Sequence, residues 1–494
     1  MTTRRMPASR PAFAPLATLV AAALAGCAAG PDYQPPTLDA PQRFQRDESP
    51  PGTQAAAPLA ADTGFWRQFN DPQLDALVAQ ALRANHDLRA ALANLDRANA
   101  LLGAARLDRL PTVTARAEGG RERLSQDQSY GFDRSHATYQ AHIAASWEID
   151  LFGRVRRDIE ARRAEAGASA HDLAALQVAV AADTATTYLQ LRGLQQRLRV
   201  LRESLDRLRQ MRELIDARVS AGRGTELDTT RAQAQLEITA ARLPALEAQV
   251  AMAQHRLAVL TGRQPQALVA ELDPPRALPE PPPAIGPDAP ADLLRRRPDV
   301  AAAEQRLHAA TARVGVATAD LFPRLSLGGL IGTQAFDAGA LFKSGSETGR
   351  VLLGIDWSFL DVGRVRSRIA AAGADAAGRL AQYQQAVLLA LEDTENALVR
   401  YSRTRAEDEH LMRAARDAAR AVELAKLRYQ AGKIELFELL GAERDLLAAQ
   451  DAFADCRTRS AVAGVALFKA LAGGWPQQLP DRHSTQAAPA RTAL

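Results

Sequence analysis

The chain has 494 residues, of which 47% are hydrophobic and only 5% aromatic, and its formal net charge is +4. Its apolar residues are mostly Ala, Leu and Val, which is a composition rich in helix formers. Three basic residues, Arg4, Arg5 and Arg10, lie in a segment that we expect to be removed. The mature chain is then nearly neutral, and its charge gives no indication of nucleic-acid binding. The two cysteines cannot build a disulfide framework or a metal cluster, because one belongs to a processing signal.

The first 26 residues combine a basic start with a short apolar stretch, Leu16 to Leu24, which is typical of a secretion signal. The junction Leu24-Ala25-Gly26-Cys27 is similar to a bacterial lipobox, so Cys27 is predicted to carry diacylglycerol and to become the mature N-terminus. Several acyl chains on one residue anchor a protein stably. In the lipoproteins that this junction resembles, an Asp after the cysteine retains the protein in the inner membrane. Here Ala28 follows, and we expect sorting to the outer membrane.

An internal repeat has a constant offset of 210 residues. The matching pairs include Trp147 and Trp357, Gly153-Arg154-Val155-Arg156 and Gly363-Arg364-Val365-Arg366, Asp183 and Asp393, Arg218 and Arg428, and Gly222 and Gly432. The repeat predicts two copies of one unit, residues 65 to 262 and 292 to 472. A Pro-rich arm, 27 to 64, precedes them, a Pro-rich linker, 263 to 291, separates them, and a tail, 473 to 494, follows. The linker has eight prolines between Asp273 and Pro290, so it cannot be helix interior or central strand.

Each copy is predicted to contain very long helices. The stretch from Val155 to Val219 has no proline, so it can form one helix of about 65 residues, roughly 98 Å long at 1.5 Å per residue. From Leu191 its apolar residues keep a mostly three-four spacing, which is typical of paired helices. Its partners, about 72 to 110 and 226 to 262, are each near half that length. This predicts pairs of short helices stacked end to end beside one long helix.

Two short strands are predicted in each copy. Residues Thr138 to Asp150 alternate between apolar and polar positions, and residues 351 to 359 repeat that pattern up to Trp357 and Phe359. The preceding strand of each copy is predicted at Thr112 to Glu118 and at Arg324 to Ile331. Alternation alone would equally suit a half-buried strand of a soluble sheet, but the lipid signal and the long flanking helices favour transmembrane strands. Four strands cannot close a barrel and an open edge is not tolerated in hydrocarbon, so the chain must oligomerise; three copies give twelve strands.

Three motifs carry a resemblance to a known family. They are Gly26-Cys27 with Gly30-Pro31-Asp32-Tyr33-Gln34-Pro35-Pro36, then Asp150-Leu151-Phe152-Gly153-Arg154, and Leu294-Arg295-Arg296-Arg297-Pro298-Asp299-Val300. The chain resembles the lipoprotein branch of the TolC family, the NodT or OprM-type outer-membrane factors, over nearly its whole mature length. The resemblance implies a mainly α fold with transmembrane β: a homotrimer whose twelve-stranded β-barrel, four strands per chain, continues into a twelve-helix α-barrel crossing the periplasm. It also implies a periplasmic adaptor and an inner-membrane efflux pump, commonly proton-driven (RND type), as partners of an outer-membrane exit duct.

In such a duct the helical hairpins turn at glycine and six tips form the periplasmic entrance. Asp228 and Glu438 occupy the same repeat position just beyond the turns, and family carboxylates near the tip face the narrow lumen. Acidic residues near a helix start are also common partners of the helix dipole, so both interpretations stay open. Arg444 matches an arginine that relatives use to tie the gate together, and its expected partner is Glu435 or Glu438. Where many relatives carry a second acid, this chain has Gly441. Adaptor contacts are expected at the tips, from Gly222, Thr225, Leu227, Gly432, Ile434 and Leu436.

Other classes fit the sequence less well. A periplasmic adaptor is also often a lipoprotein built around an α-hairpin, but that class normally has one hairpin with β-rich domains outside it. A structural coiled-coil protein would not need duplicated alternating strands. No nucleophile elbow, phosphate loop or metal-spaced histidine pair occurs, so we expect neither an enzyme nor a metal or cofactor beyond the lipid on Cys27. The cargo, whether drugs, toxic compounds or metal ions, is not specified by the sequence.

The lipobox generates a first testable prediction. Mass spectrometry of the mature N-terminus should find cleavage before Cys27 and acyl groups on that residue. Replacing Cys27 by Ser should abolish the lipid, while the strands still insert because they hold far more apolar area than the acyl chains do. An unmodified terminus at another position would contradict the anchor.

Overall fold

The computed structural model of the chain describes residues 28–37, 41–45, 64–128, 133–280 and 290–471. Cys27, the signal segment 1 to 26 and the tail 473 to 494 lie outside the described residues, as do parts of the predicted arm and linker. The chain divides into two compact units. The sheet unit comprises the residues up to Pro36, Leu95–Ser169 and Ala302–Gln384. The helical unit comprises Thr37–Asn94, Ala170–Ala301 and the residues from Gln385 onward.

Helices dominate the described residues. They are, in chain order, α1 Pro72–Ala84, α2 His86–Leu107, α3 Arg154–Ser220, α4 Glu226–Ala240, α5 Leu243–Leu260, α6 Val269–Leu272, α7 Pro290–Arg296, α8 Pro298–Ala319, α9 Val362–Gln430 and α10 Leu436–Ala470. Single turns of 3₁₀ helix occur at Phe65–Phe69, Gln126–Gln128, Pro265–Leu268 and Ala338–Ala340. No helix among the described residues is long and apolar enough to cross a membrane.

The long helix predicted for the first copy is confirmed. Helix α3 has 67 residues and its counterpart α9 has 69. The Asp150 carboxylate accepts hydrogen bonds from the backbone N–H groups of Val155, at 3.1 Å, and Arg156, at 2.9 Å. Because the first N–H groups of a helix have no partner inside it, this carboxylate fixes where α3 begins.

The half-length partners are present in both copies: α1 with α2 and α4 with α5 in the first, and α7 with α8 and α10 in the second. Helices α4 and α5 are separated at Ala241 and Arg242, and Pro244 lies in the first turn of α5, where a proline is tolerated. In the second copy α10 runs without interruption for 35 residues, since no proline falls inside it. The partner that follows the long helix is therefore interrupted in the first copy and continuous in the second.

Four antiparallel strands form one sheet, in the order β1-β2-β3-β4. They are β1 Thr112–Arg123, β2 Ser135–Ile149, β3 Arg324–Ala335 and β4 Glu347–Asp356. The strands lie where the alternation of apolar and polar residues predicts them, but β1 and β3 are longer than predicted. Glycines interrupt the alternation in both strands, and pairing with β2 continues the strands past those glycines. One face of the sheet carries exposed apolar side chains, namely Val113, Ile143, Ile331, Val351, Leu353 and Ile355.

The sequence-based end of the fourth strand was wrong. Strand β4 ends at Asp356, so Trp357 and Phe359 lie beyond it. The Trp357 indole N–H donates to the Leu321 carbonyl at 3.0 Å, and the chain then turns into α9. Trp147, inside β2, donates in the same way to the Arg109 carbonyl at 3.0 Å. Each copy thus uses its tryptophan to fix the strand against the end of the preceding helix.

The helical unit contains a buried arginine from the Arg-Arg-Pro-Asp-Val motif. Arg297 is 8% exposed and donates to the carbonyls of Ala470, at 3.2 Å, and Ala390, at 3.5 Å. It also pairs with Asp299 at 2.7 Å and with Asp393 at 3.3 Å. Burial acts to raise the pKa of Asp299, but the Arg297 hydrogen bonds hold it below its ordinary value. One guanidinium therefore joins the end of α10, the middle of α9 and the start of α8.

The first copy places a neutral side chain in the equivalent position. The Asn85 side-chain amide, 4% exposed, donates to the Leu260 carbonyl at the end of α5, at 3.0 Å. Both copies therefore use a buried donor to satisfy the carbonyls at the end of their last helix, where four carbonyls lack helical partners.

Replacing Arg297 by Met should lower the free energy of unfolding by about 3 kcal/mol, because Asp299 and the helix-end carbonyls lose a buried charged donor. Thermal unfolding in detergent, followed by circular dichroism, measures the effect. Arg295, exposed and two residues earlier, gives the matched control Arg295→Met, which should shift the midpoint little. Equal shifts for both variants would contradict the role assigned to Arg297.

Candidate functional site at the hairpin tips

The two helical hairpins of the helical unit turn with the same backbone geometry. Gly222, between α3 and α4, has φ 69°, and Gly432, between α9 and α10, has φ 67°. The N–H groups of Arg223 and Lys433 donate to the carbonyls five residues earlier, at 2.9 and 2.8 Å. This left-handed conformation is accessible to glycine at little cost. The tips predicted at Ala221-Gly222 and Ala431-Gly432 are therefore turns.

The first residues after the two turns differ in their chemistry. At the first tip the Asp228 carboxylate accepts from the Thr225 backbone N–H, at 3.0 Å, and from the Thr225 hydroxyl, at 2.9 Å. It therefore caps the start of α4, as the dipole interpretation expected. At the second tip the equivalent position of Thr225 is Glu435, whose side chain makes no capping hydrogen bond. Glu438, equivalent to Asp228, is exposed in the first turn of α10.

A buried apolar cluster joins the two hairpins just inside the tips. It consists of Ile215, Ala232, Tyr429, Leu436 and Leu439. Leu436 is 4% exposed, so the sequence-based expectation that it contacts an adaptor is wrong: the other hairpin of the same chain covers it. Ile434 is partly buried against the same cluster.

Two apolar side chains are exposed at equivalent positions of the tips. Leu227 is 54% exposed and Phe437 is 66% exposed. Leu227 was expected on this surface, whereas Phe437 was not among the expected contacts, although its position 210 residues after Leu227 gave the signal. Gly222, Thr225 and Gly432 are also exposed.

Charged side chains add contacts between the hairpins. The Arg218 guanidinium lies over the Tyr429 ring, 4.7 Å from its centroid, which is a cation–π geometry. Farther from the tips, Arg207 pairs with the buried carboxylate of Glu443 at 3.1 Å. Within the chain Arg444 pairs with Asp445, at 3.6 Å, rather than with Glu435 or Glu438. Glu438 lies six residues earlier on the same helix, so the two side chains do not share a face.

The described residues contain no group of three or more His, Cys, Asp or Glu side chains that could hold a metal ion. Cys456 is fully buried in the helical unit, and burial raises the pKa of its thiol to about 11. The thiol therefore stays protonated at neutral pH, and its contact is with the Thr404 carbonyl, 3.6 Å away. This geometry fits a packed structural residue.

Comparison with known proteins decides the family. The family model described as "Outer membrane efflux protein" matches residues 77–263 and 289–473. The chain belongs to the outer membrane efflux protein family. The resemblance to the NodT and OprM-type branch of the TolC family is confirmed, and with it the fold class and the assignment as an outer-membrane efflux channel.

Relatives of known name match almost end to end. "Outer membrane protein OprJ" of Pseudomonas aeruginosa is 34% identical over 95% of this chain and 97% of its own. "Toluene efflux pump outer membrane protein TtgF" of Pseudomonas putida is 31% identical over 93% of this chain and 96% of its own. "Nodulation protein T" of Rhizobium leguminosarum bv. trifolii is 29% identical over 87% and 91%.

Solved structures agree with the fold. The outer-membrane channel OprN superposes with a TM-score of 0.83 at 39% identity, covering 91% of this chain and 100% of that chain. The open state of the MtrE outer membrane channel of Neisseria gonorrhoeae gives a TM-score of 0.79 at 27% identity, covering 93% and 100%.

Proposed function

We propose that three copies of the chain form one closed, passive exit duct in the outer membrane. A periplasmic adaptor and an inner-membrane pump, in our proposal of the RND type, deliver small molecules to its periplasmic entrance. The single observation that carries the proposal is the four-stranded sheet, which exposes an apolar face and has two open edges, so that one chain cannot enclose a pore. The family match and the relatives named as efflux-pump and export proteins support the transport role.

The proposed duct performs no catalytic step. The pump supplies the energy, and the chain supplies a path that is continuous from the periplasm to the exterior. Relatives are named for toluene efflux and for pyoverdine export, which are chemically unlike. We therefore propose small molecules as the cargo class, with selection made by the pump rather than by this chain.

The lipid anchor at Cys27 remains part of the proposal, and contacts of the next residues support it. The Ala29 N–H donates to the Phe152 carbonyl at 2.9 Å, and Arg157 donates to the Ala29 carbonyl and to Asp32. The chain directly after Cys27 is thus held where β2 leads into α3. Acyl chains on Cys27 would start beside that junction.

We propose that the adaptor contacts the exposed parts of the tips. Leu227 and Phe437 offer apolar side chains, and Gly222, Thr225 and Gly432 are exposed around them. Leu436 is left out because it is covered within the chain. An adaptor that repeats a matching apolar contact at each tip would bury Leu227 at the first tip and Phe437 at the second.

The trimer gives the direct test of the function. Detergent-solubilised protein measured by light scattering should have three times the chain mass, and the same preparation should form open pores when added to planar bilayers. A stable monomer with full strand content would contradict the proposal, because its two edges would remain unpaired.

At the entrance we propose that Glu438 of each copy faces a narrow lumen, where crowded carboxylates attract cations, and that Arg444 ties neighbouring helices together. Glu438→Gln should lower cation selectivity and sensitivity to divalent ions in planar bilayers, and Arg444→Ala should raise the open fraction. Asp228→Asn is the matched control: it weakens the cap of α4 and should leave ion selectivity unchanged, because its carboxylate is bound by Thr225.

If neither Glu438→Gln nor Arg444→Ala changed conductance while the trimer stayed intact, the proposed electrostatic role of these two residues at the entrance would be contradicted. It would leave a gate formed by apolar packing at the tips, with the duct assignment standing.

A further inference from the structure

A cavity of about 790 Å³ opens in the helical unit, and side chains of α3, α5, α9 and α10 line it. Volumes of this size hold small organic molecules. The lining residue of α3 that is nearest to the tip is Arg197, roughly 38 Å before the turn at Gly222 at 1.5 Å per residue. The cavity is therefore separate from the carboxylates of the entrance.

The four helices lie side by side, and an ion pair joins each helix to the next. In the order α5, α3, α10 and α9, the pairs are Arg202 with Glu247 at 2.9 Å, Arg197 with Asp451 at 2.7 Å, and Arg459 with Glu407 at 2.8 Å. A row of four helices that lines one cavity is concave on that side. In the proposed ring of copies, the concave side of the wall is the inner side.

The Pro-rich linker covers the opposite side of the row. Arg192 of α3 donates to the Pro274 carbonyl at 3.1 Å, and Gln195 donates to the Leu272 carbonyl at 2.8 Å. Gln190, which lines the cavity, lies about 160° around α3 from Arg192, at 100° per residue. On the proposed duct, on which this inference rests, the linker therefore lies outside the wall and the cavity opens toward the path of the cargo.

The same positions of the two repeats line the cavity. At the offset of 210 residues, the matching pairs are Gln190 with Arg400, Leu194 with Thr404, Gln249 with Arg459, Met252 with Val462, Ala253 with Ala463, and Arg256 with Ala466. One face of the repeated unit thus forms the cavity from both sides. In three of these pairs, one copy has an arginine where the other has a neutral residue.

Two of the four arginines in the lining are bound by carboxylates. Arg197 binds Asp451 and Asp455, and Arg459 binds Glu407 and Asp455, at distances between 2.7 and 3.2 Å. Asp455, the one carboxylate among the described residues of the lining, is shared by both arginines. These ion pairs hold α3, α9 and α10 together and leave no carboxylate of the lining free to bind a cation.

The other two arginines keep donors for a ligand. Arg400 is exposed and its side chain makes no hydrogen bond or ion pair within the part of the chain that the structure describes. Arg256 comes no closer than 4.0 Å to the Asp183 carboxylate, which is beyond hydrogen-bond distance. Both guanidinium groups can therefore bind an anion without breaking a hydrogen-bonded ion pair.

The surroundings of Arg400 are positive on its other side as well. A smaller cavity of about 240 Å³ shares Arg400 with the first one and adds Lys469. Asp393 also lines this smaller cavity, but it is paired with Arg297 at 3.3 Å. Positive charge is therefore in excess where the two cavities meet.

The rest of the lining offers apolar contact. Met252 is 65% exposed in the wall formed by α5, and Val462 is its counterpart in α10. The hydroxyls of Thr404 and Thr458 donate to carbonyls of their own helices, at 2.7 and 2.8 Å. Methionine adapts its shape to different apolar ligands. A ligand that fits this lining has an anionic group and an apolar body.

We propose that this cavity binds organic anions that carry an apolar ring system. The Arg400 guanidinium binds the anionic group, because its planar fork matches the paired oxygens of a carboxylate or sulfonate. Arg256 adds attraction from α5, and Met252 and Val462 contact the rings. The cavity thus gives the proposed duct a site that anionic cargo occupies in passing, while delivery stays with the pump.

Calorimetric titration of the complete protein in an uncharged detergent tests the site, with sodium 2-naphthalenesulfonate as the probe. The native protein should bind one probe per chain, after subtraction of the same titration into detergent alone. (2-Naphthylmethyl)ammonium has the same rings and the opposite charge, and it should bind at least about tenfold more weakly because the free arginines repel it. Equal affinity for the two probes would overturn the anionic class.

The repeat itself supplies the neutral variants. Arg400→Gln and Arg256→Ala introduce the residue types of Gln190 and Ala466, which helices of this chain already carry at the equivalent positions. Arg400→Gln should weaken binding of the sulfonate by about tenfold or more, because a hydrogen bond between charged groups is lost, and Arg256→Ala should weaken it less. In planar bilayers the sulfonate should interrupt the current through native pores, and Arg400→Gln should shorten the interruptions by about tenfold.

Arg199→Gln is the matched control. Arg199 is exposed on the linker side of α3, where it lines a different cavity with Ala277, so its replacement should leave the affinity for the sulfonate unchanged. Because Arg400 and Arg199 are both exposed, both variants should keep the trimer mass and the thermal midpoint of the native protein. Native affinity in Arg400→Gln, or an equal loss in Arg199→Gln, would overturn the site.

Light scattering and conductance separate failure of this site from failure of the function. Native trimers that form pores but show no saturable binding of the sulfonate overturn the site and leave the proposed duct standing. Native protein of monomer mass that forms no pores overturns both, because no path then passes the cavity.

Discussion

The open edge of a four-stranded sheet is the constraint on which the rest of this molecule depends. A backbone N–H or C=O group in hydrocarbon has no water to bind, so every strand edge that enters the membrane must find another strand. One chain offers four strands and two edges. The exposed apolar face indicates that those edges lie in the membrane, where they cannot stay unpaired. Further copies of the same chain can pair with them, so no second protein is needed.

Because the chain is a duplication, the same structural elements occur in both of its halves. Each copy brings a hairpin of strands, a tryptophan that binds the carbonyl of the preceding helix end, a long helix and a glycine turn at φ near +70°. The copies differ in chemistry while the backbone stays the same. Asn85 in one copy and Arg297 in the other satisfy the end of the last helix, and a capped Asp228 in one tip contrasts with an exposed Glu438 in the other. Equivalent positions can therefore keep one role with different side chains, as at the helix ends, or differ in role, as at the two tips.

The sequence predicted those features that depend on one element at a time. A helix of 67 residues follows from a proline-free stretch, and the turns follow from a glycine at the same place in each repeat. Features that depend on a neighbour were missed. Leu436 looks like an exposed tip residue until the other hairpin covers it, and β1 continues through Gly119 and Gly120 because β2 pairs with them, although their own pattern gives no strand signal.

The N-terminal arm is held against residues far from it in the sequence by several tertiary contacts. Tyr33 stacks on His308, with ring centroids 4.2 Å apart, and its hydroxyl donates to Glu304. Glu160 accepts from Arg157, and burial acts to raise the pKa of its carboxyl while the bonds from Arg157 and His308 hold it below the ordinary value. A single exposed ion pair is worth little, but the Arg157 side chain is only 6% exposed and binds two carboxylates and a carbonyl at once. The residues directly after Cys27 are thereby fixed to the helix that continues β2, so the lipid proposed for that cysteine would be joined to the sheet by buried contacts rather than by a loose tether.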